Sequence, residues 1–255
     1  MQKIEIIHEP TELEPFVIIN KPSGLPSAPL TEIDNNNALS QAIELFPNIT
    51  SVKGKKNIEF GLLHRLDTVT SGLIVIATSQ EFYDALQNEQ QNGRFVKTYT
   101  AKSIYKKDNC DKLGGFPSFD FIDISVKRND YKIKVESYFR PFGTGSKTVR
   151  PVTTDSGMAA LKKCGKKIYT TNVSASYLKT VDNEDIFNVE CKITEGYRHQ
   201  VRCHLAWCGF PIINDKIYNS LYLEKNPDGN LQFFATKLSF YHPKTNEFTE
   251  FVIEI

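Results

Sequence analysis

Gly61-Leu62-Leu63-His64-Arg65-Leu66-Asp67-Thr68-Val69-Thr70-Ser71-Gly72-Leu73-Ile74-Val75-Ile76-Ala77 sets His64, Arg65 and Asp67 in a turn-rich segment directly ahead of an apolar run, residues 73–77, long enough for a buried strand. Charge therefore meets core at this point. On local grounds the segment from Asp67 to Gly72 reads as an Asx-type turn closed by glycine, because Asp, Thr and Ser side chains readily bond nearby backbone amides. A carboxylate presented for chemistry is the other reading, and the local residues do not choose between the two.

Upstream, Phe16-Val17-Ile18-Ile19-Asn20 reads as a short strand stopped by Lys21-Pro22-Ser23-Gly24, with Pro26 and Pro29 beyond it. After Asp34-Asn35-Asn36-Asn37, the spacing of Leu39, Ala42, Ile43 and Phe46 predicts an amphipathic helix with a polar cap, ended by Pro47. Downstream, Thr78 with Glu81 has the form of a capping box ahead of Phe82, Ala85 and Leu86, and Gly93 closes that helix. The next strand runs Arg94-Phe95-Val96-Lys97-Thr98-Tyr99-Thr100-Ala101, and its period of two puts Lys97 and Tyr99 on one side. Locally that pair reads as an aromatic beside a snorkelling lysine.

Residues 108–115 read as a polar loop, 116–126 and 131–140 as strands, and 140–146 as a turn-rich basic loop. Alternating, β-rich sequence returns over 168–175 and 187–193. Gly196-Tyr197-Arg198-His199-Gln200-Val201-Arg202-Cys203-His204-Leu205-Ala206-Trp207-Cys208-Gly209 then reads as a helix with glycine near both ends. At 3.6 residues per turn Arg198 and Arg202 face one way with His199 beside them, while Val201, Leu205 and Cys208 face the core. Segments 233–243 and 251–253 read as the last two strands.

Composition bounds the answer. A chain of 255 residues, 40% of them hydrophobic, suits one large globular domain over residues 1–255 or two closely joined halves. No apolar run approaches the roughly 18 residues of a membrane span, and the start, Met1-Gln2-Lys3-Ile4-Glu5, lacks a secretory layout. The five cysteines, Cys110, Cys164, Cys191, Cys203 and Cys208, include no Cys-x-x-Cys pair, which argues against a disulfide framework or a zinc ribbon and for a cytoplasmic location. His204 and Cys208 read as core residues, because half a metal site without a second half binds nothing.

A net charge of +1 neither demands nor excludes a polyanionic partner. Its distribution says more. Arg140, Lys147, Arg150, Lys162, Lys163, Lys166 and Lys167 stand against Asp155 alone, and Arg94, Lys97, Lys102, Lys106 and Lys107 have no acid among them. Such clusters suit a solvated face or, as a pair, a surface that follows phosphates.

Several of these motifs, in order, resemble the RluA-type pseudouridine synthases. His-Arg-Leu-Asp followed by Thr-Ser-Gly-Leu and a hydrophobic strand is similar to that family's catalytic motif, whose aspartate is essential. Asn-Lys-Pro-Ser-Gly-Leu resembles its opening motif, Lys-x-Tyr-x-Ala its second, and residues 196–218 its third. Tyr197 departs from the pattern where the family usually has arginine, and Asn214 where it usually has glycine.

The resemblance, which spans about residues 16–255, implies an α+β fold with a central mixed or antiparallel sheet flanked by helices and an RNA-binding cleft. No S4-type domain is expected ahead of it. It implies Asp67, Tyr99 and Arg202 as catalytic residues serving one extruded pyrimidine, with Lys21, His64, Arg65, Lys97, Arg198, His199 and Gln200 binding substrate. The expected partner is ribosomal or transfer RNA, with no membrane partner, no metal and a monomer as the favoured state.

Converting uridine to pseudouridine breaks the bond from base nitrogen to ribose, turns the base and rejoins it through carbon. Nothing is oxidised, so no cofactor is expected, in line with a sequence that carries no Gly-x-Gly-x-x-Gly or Walker pattern. Asp67 could attack the base, attack C1′ or remove the C2′ proton. Two other readings keep the same residues: an RNA-binding protein with the fold but no activity, and a glycoside hydrolase pairing Asp67 with Glu195. The second needs a carboxyl separation of roughly 5 to 9.5 Å.

Overall fold

A computed structural model describes residues 2–125, 130–219 and 229–255. The chain is α+β and divides into two compact units, residues 1–98 with 234–255 and residues 99–233.

The first unit is built on the apolar runs. β2 (Phe16–Lys21) pairs antiparallel with β3 (Ser71–Ala77), Phe16 opposite Ala77 and Lys21 opposite Gly72. Residues 16–19 and 73–77 are wholly buried, which is why both segments read as continuous rather than alternating hydrophobic runs. β1 (Glu5–His8) flanks β2, and β3 also pairs in parallel with the start of β9 (Phe233–Tyr241), which carries β10 (Phe248–Val252). The sheet of this unit is thus mixed. Gly72 is indispensable to it: φ is +125°, and a Cβ there would sit 2.3 Å from the carbonyl oxygen of Ala235.

α1 (Ala38–Leu45) starts where the sequence places it, with the Asn37 side chain accepting from the Ser40 amide. α2 (Gln80–Gln91) is capped by Ser79, which accepts from the Phe82 amide. The cap is one residue later than the Thr78 box, since the two adjacent hydroxyls offered alternative starts. Phe16, Phe82, Phe95 and Phe240 form the aromatic centre of this core.

In the second unit β5 (Tyr131–Phe142), β6 (Thr148–Val152), β7 (Tyr169–Val181) and β8 (Glu184–Ile193) form an antiparallel series in the order β8-β7-β5-β6. β4 (Val96–Ile104) carries the chain into this unit and β9 carries it back.

Three sequence readings change here. A short helix, α3 (Asn109–Leu113), stands in the expected polar loop. Residues 116–125 form no strand; Phe116 covers the Arg150 guanidinium and Phe119 meets Trp207 edge-on, so these aromatics are anchors rather than strand faces. Val126 lies outside the described residues. The expected basic turn over 140–146 begins only after β5 ends at Phe142. α4 (Met158–Leu161) is one short turn, and α5 (Gln200–Trp207) is buried throughout. Among the described residues no helix is long and apolar enough to cross a membrane.

Candidate active site

In the first unit, two loops meet at Asp67. One follows β2 and the other precedes β3, so the pairing of those strands brings them together. The Lys21 ammonium, wholly buried, turns back onto three carbonyls: Pro22 at 2.9 Å, Leu25 at 2.7 Å and Thr68 at 3.2 Å. The Gly24 amide donates to the same Thr68 carbonyl at 2.7 Å. Ser23 donates to the Val69 carbonyl at 2.7 Å. Ser27 donates to the Leu66 carbonyl at 2.8 Å and accepts from the Leu66 amide at 3.0 Å. The Thr70 amide closes the turn on the Asp67 carbonyl at 3.0 Å.

Hydrogen bonds thus fix the backbone on both sides of Asp67. Burial lowers the Lys21 pKa to about 8, and the Asp67 carboxylate partly opposes that shift. A cation is therefore held beside the acid at neutral pH.

His64 lies between the core and this loop. Its Nε2 accepts a long bond from the Val75 amide at 3.5 Å, and its ring is tilted against Phe95. Burial, with the Lys97 charge, holds its pKa well below the usual histidine value, so it is a neutral side chain. Lys97 is itself buried, with its ammonium 5.8 Å from the Phe95 ring centre. Arg65 points outward, and its guanidinium donates to Glu59 at 3.2 Å.

In the second unit Tyr99 is 7% exposed, and one face of its ring is stacked on Phe233 at 5.1 Å and 12°. Arg202 binds Asp215 through two bonds of 2.8 Å, Nε to Oδ2 and an Nη to Oδ1, and both side chains are buried. Asp215 also accepts from the Ile217 and Tyr218 amides. This bidentate ion pair was not legible in sequence, where Asp215 carried no mark of a partner.

Arg198 is not on the helix. His199, with φ +57°, is the N-cap of α5, and Gln200 is its first residue. The expected shared face of Arg198 and Arg202 does not form; Arg198 instead donates to the carbonyls of Ser146 and Thr148. Gln200 is buried, donates to Thr170 and Thr171, and accepts from the Tyr197 amide at 2.9 Å. His199 Nδ1 lies 3.1 Å from the Tyr218 hydroxyl.

Both departures from the expected pattern have structural explanations. Tyr197 stacks on Phe139 at 4.9 Å and 4°, and His204 covers Phe139 at 4.8 Å. Asn214 sits at φ +63°, a left-handed conformation that asparagine tolerates better than most residues, which is how it takes a glycine's place. His204 is a core residue, flanked by Ser137 at 2.9 Å and Thr171 at 2.8 Å, with its pKa lowered by burial to about 3.

A family model described as RNA pseudouridylate synthase matches residues 15–207. An uncharacterised RNA pseudouridine synthase of Bacillus subtilis is 24% identical, over 98% of this chain and 71% of its own length. The tRNA pseudouridine(31) synthase of Saccharomyces cerevisiae is 27% identical over 85% of this chain and 47% of its own. Among solved structures, human RNA pseudouridylate synthase domain containing 1 superposes with a TM-score of 0.66 at 17% identity, covering 99% of this chain and 84% of that one.

Proposed function

The chain belongs to the RNA pseudouridylate synthase family, and from that premise we propose that it isomerises specific uridines of structured ribosomal or transfer RNA, with Asp67 as the essential acid. The observation that carries this reading is the clasp on the Asp67 turn. Five hydrogen bonds between residues 21–27 and Leu66, Thr68 and Val69 hold one carboxylate-bearing residue between fixed neighbours. Preorganisation of this kind suits a group that must meet a reacting atom at short range.

Lys21 is then a positioning residue that keeps a positive charge near the acid. Tyr99 enters the reading by its motif position, as the ring for the uracil. Arg202 enters likewise, as a guanidinium whose orientation Asp215 fixes. Arg65, exposed and tethered to Glu59, steadies the extruded nucleotide or fills its place in the stack. Lys97, His64, Arg198, His199 and Gln200 shape or line the RNA-binding surface, and the internal hydrogen bonds of Gln200 favour a supporting part for it. The enzyme works as a soluble cytoplasmic monomer on this reading.

The test is to incubate the protein and an Asp67→Ala variant with RNA from a strain lacking the enzyme and to map pseudouridine. Conversion by the parent, with none by the variant while RNA binding persists, is the expected result. Equal conversion by both would remove Asp67 from the reaction.

A further inference from the structure

Beside the Asp67 turn, the first unit carries a second concentration of positive charge. Lys53, Lys55 and Lys56 are exposed on one loop, and Arg65 is exposed on the strand of chain that returns past it. The loop is tightly built. Gln80 on α2 accepts from the Lys53 amide at 2.8 Å, and a Cβ on Gly54 would lie 2.1 Å from the Phe60 carbonyl oxygen. Glu59 is the keystone: its side chain is 9% exposed, and a single oxygen, Oε1, meets Lys56 at 3.3 Å and Arg65 at 3.2 Å. Two cations are thereby held one hydrogen bond from the same point, their side chains 61% and 54% exposed. The bordering acids are Glu59 itself and Asp84, which accepts from Gln80 at 2.9 Å.

We infer that Lys53, Lys55 and Lys56, beside Arg65, form an RNA backbone-binding arm that grips phosphates flanking the target nucleotide. The inference rests on the proposed function for its RNA substrate and deepens it by naming a contact surface. A buried carboxylate that orders two outward cations supplies preformed charge, and the spacing of cations along a short rigid loop suits a polyanion better than a single anion. Such contacts carry no sequence information and set register and orientation. Their signature is counterion release, a steep loss of affinity with salt.

The experiment measures binding of in vitro transcribed, unmodified bulk transfer RNA across a salt series, since this electrostatic component is largely independent of RNA sequence. It uses the full chain, a Lys53→Gln/Lys55→Gln/Lys56→Gln variant, and a control with the same charge change, Lys132→Gln/Lys134→Gln/Lys192→Gln. The control lysines are each paired to a neighbouring acid, Asp130, Glu136 and Glu190.

The arm variant is expected to lose about tenfold in affinity near 0.1 M salt and about two units of salt slope, while the control keeps the parent slope. Equal slopes for parent and arm variant would overturn the inference, as would an equal fall in arm variant and control, which would reduce the effect to net charge. Failure of the proposed function reads out separately, as a parent protein that binds RNA and forms no pseudouridine.

Discussion

Replacing Lys21 by methionine removes a buried ammonium while keeping much of its stem volume. At pH 7.5 the carbonyls of Pro22 and Leu25 lose the ammonium that donates to them, the Leu25 bond lying wholly inside the protein, while the Thr68 carbonyl keeps the Gly24 amide. One fully buried polar group left unpaired costs about 1–3 kcal/mol. With the half-buried Pro22 carbonyl added, the variant is expected to be about 2 kcal/mol less stable at that pH. The gap then depends on pH in a direction the structure fixes.

Burial lowers the Lys21 pKa from 10.5 to about 8, so between those values the unfolded chain holds a proton that the native protein has released. Stability therefore rises with pH in that window, and it rises only in the parent. From pH 7.5 to pH 10 the parent gains about 2 kcal/mol over Lys21→Met. Urea unfolding of both proteins at the two pH values measures it, because every other titrating group cancels in the difference. A gap that stays constant within about 0.5 kcal/mol would refute the account of Lys21 as a desolvated ammonium. Pseudouridine formation by Lys21→Met should fall at least about tenfold at pH 7.5, since the acid's turn loses one of the two bonds to its Thr68 carbonyl and the positive charge near Asp67.

Other consequences are as direct. Gly72→Ala places a methyl against the Ala235 carbonyl in a backbone conformation closed to alanine, and should cost more than about 3 kcal/mol in denaturant unfolding; an unchanged midpoint would contradict the close parallel pairing. Asp215→Asn removes the carboxylate from the buried bidentate pair with Arg202, an expected loss of about 3 kcal/mol by the same measurement. His204, with its pKa at about 3, stays neutral where an unfolded imidazole protonates, so stability present above pH 6.5 is lost as pH falls toward 3. By pH 5 the parent should lose about 2 kcal/mol relative to His204→Gln, and parallel curves for the two proteins would show that His204 is not desolvated.

The strands at 16–21 and 71–77 are legible because each carries an apolar run buried on both faces and is marked at one end, by Pro22 after the first and Gly72 at the start of the second. The family motifs were legible for a different reason: short strings such as His-Arg-Leu-Asp keep their order along the chain. What could not be read was direction. Lys21 follows an apolar run and precedes proline, which marks a strand end and gives no hint that its ammonium folds back onto three carbonyls.

A period of 3.6 run from Gly196 onward puts Arg198 on a helical face. The left-handed backbone at His199 starts the helix later and breaks that phase. The partnership of Arg202 with Asp215 spans a turn of irregular chain that periodicity does not describe. Similarly, the phenylalanines of 116–125 resembled a strand by composition, and they serve instead as separate anchors on Arg150 and Trp207.

The antiparallel match of Phe16 with Ala77 and Lys21 with Gly72 has a consequence for how sharply the Asp67 carboxylate is located. Neighbouring side chains on a strand project to opposite faces, so sliding one strand by a single step would turn the Lys21 ammonium away from Thr68. The hydrophobic residues at 16–19 and 73–77 oppose that slide, because each is packed into one face of a close-packed core and would be turned into the other. Greasy residues that never meet RNA thereby set, to within one step of chain, where a carboxylate stands.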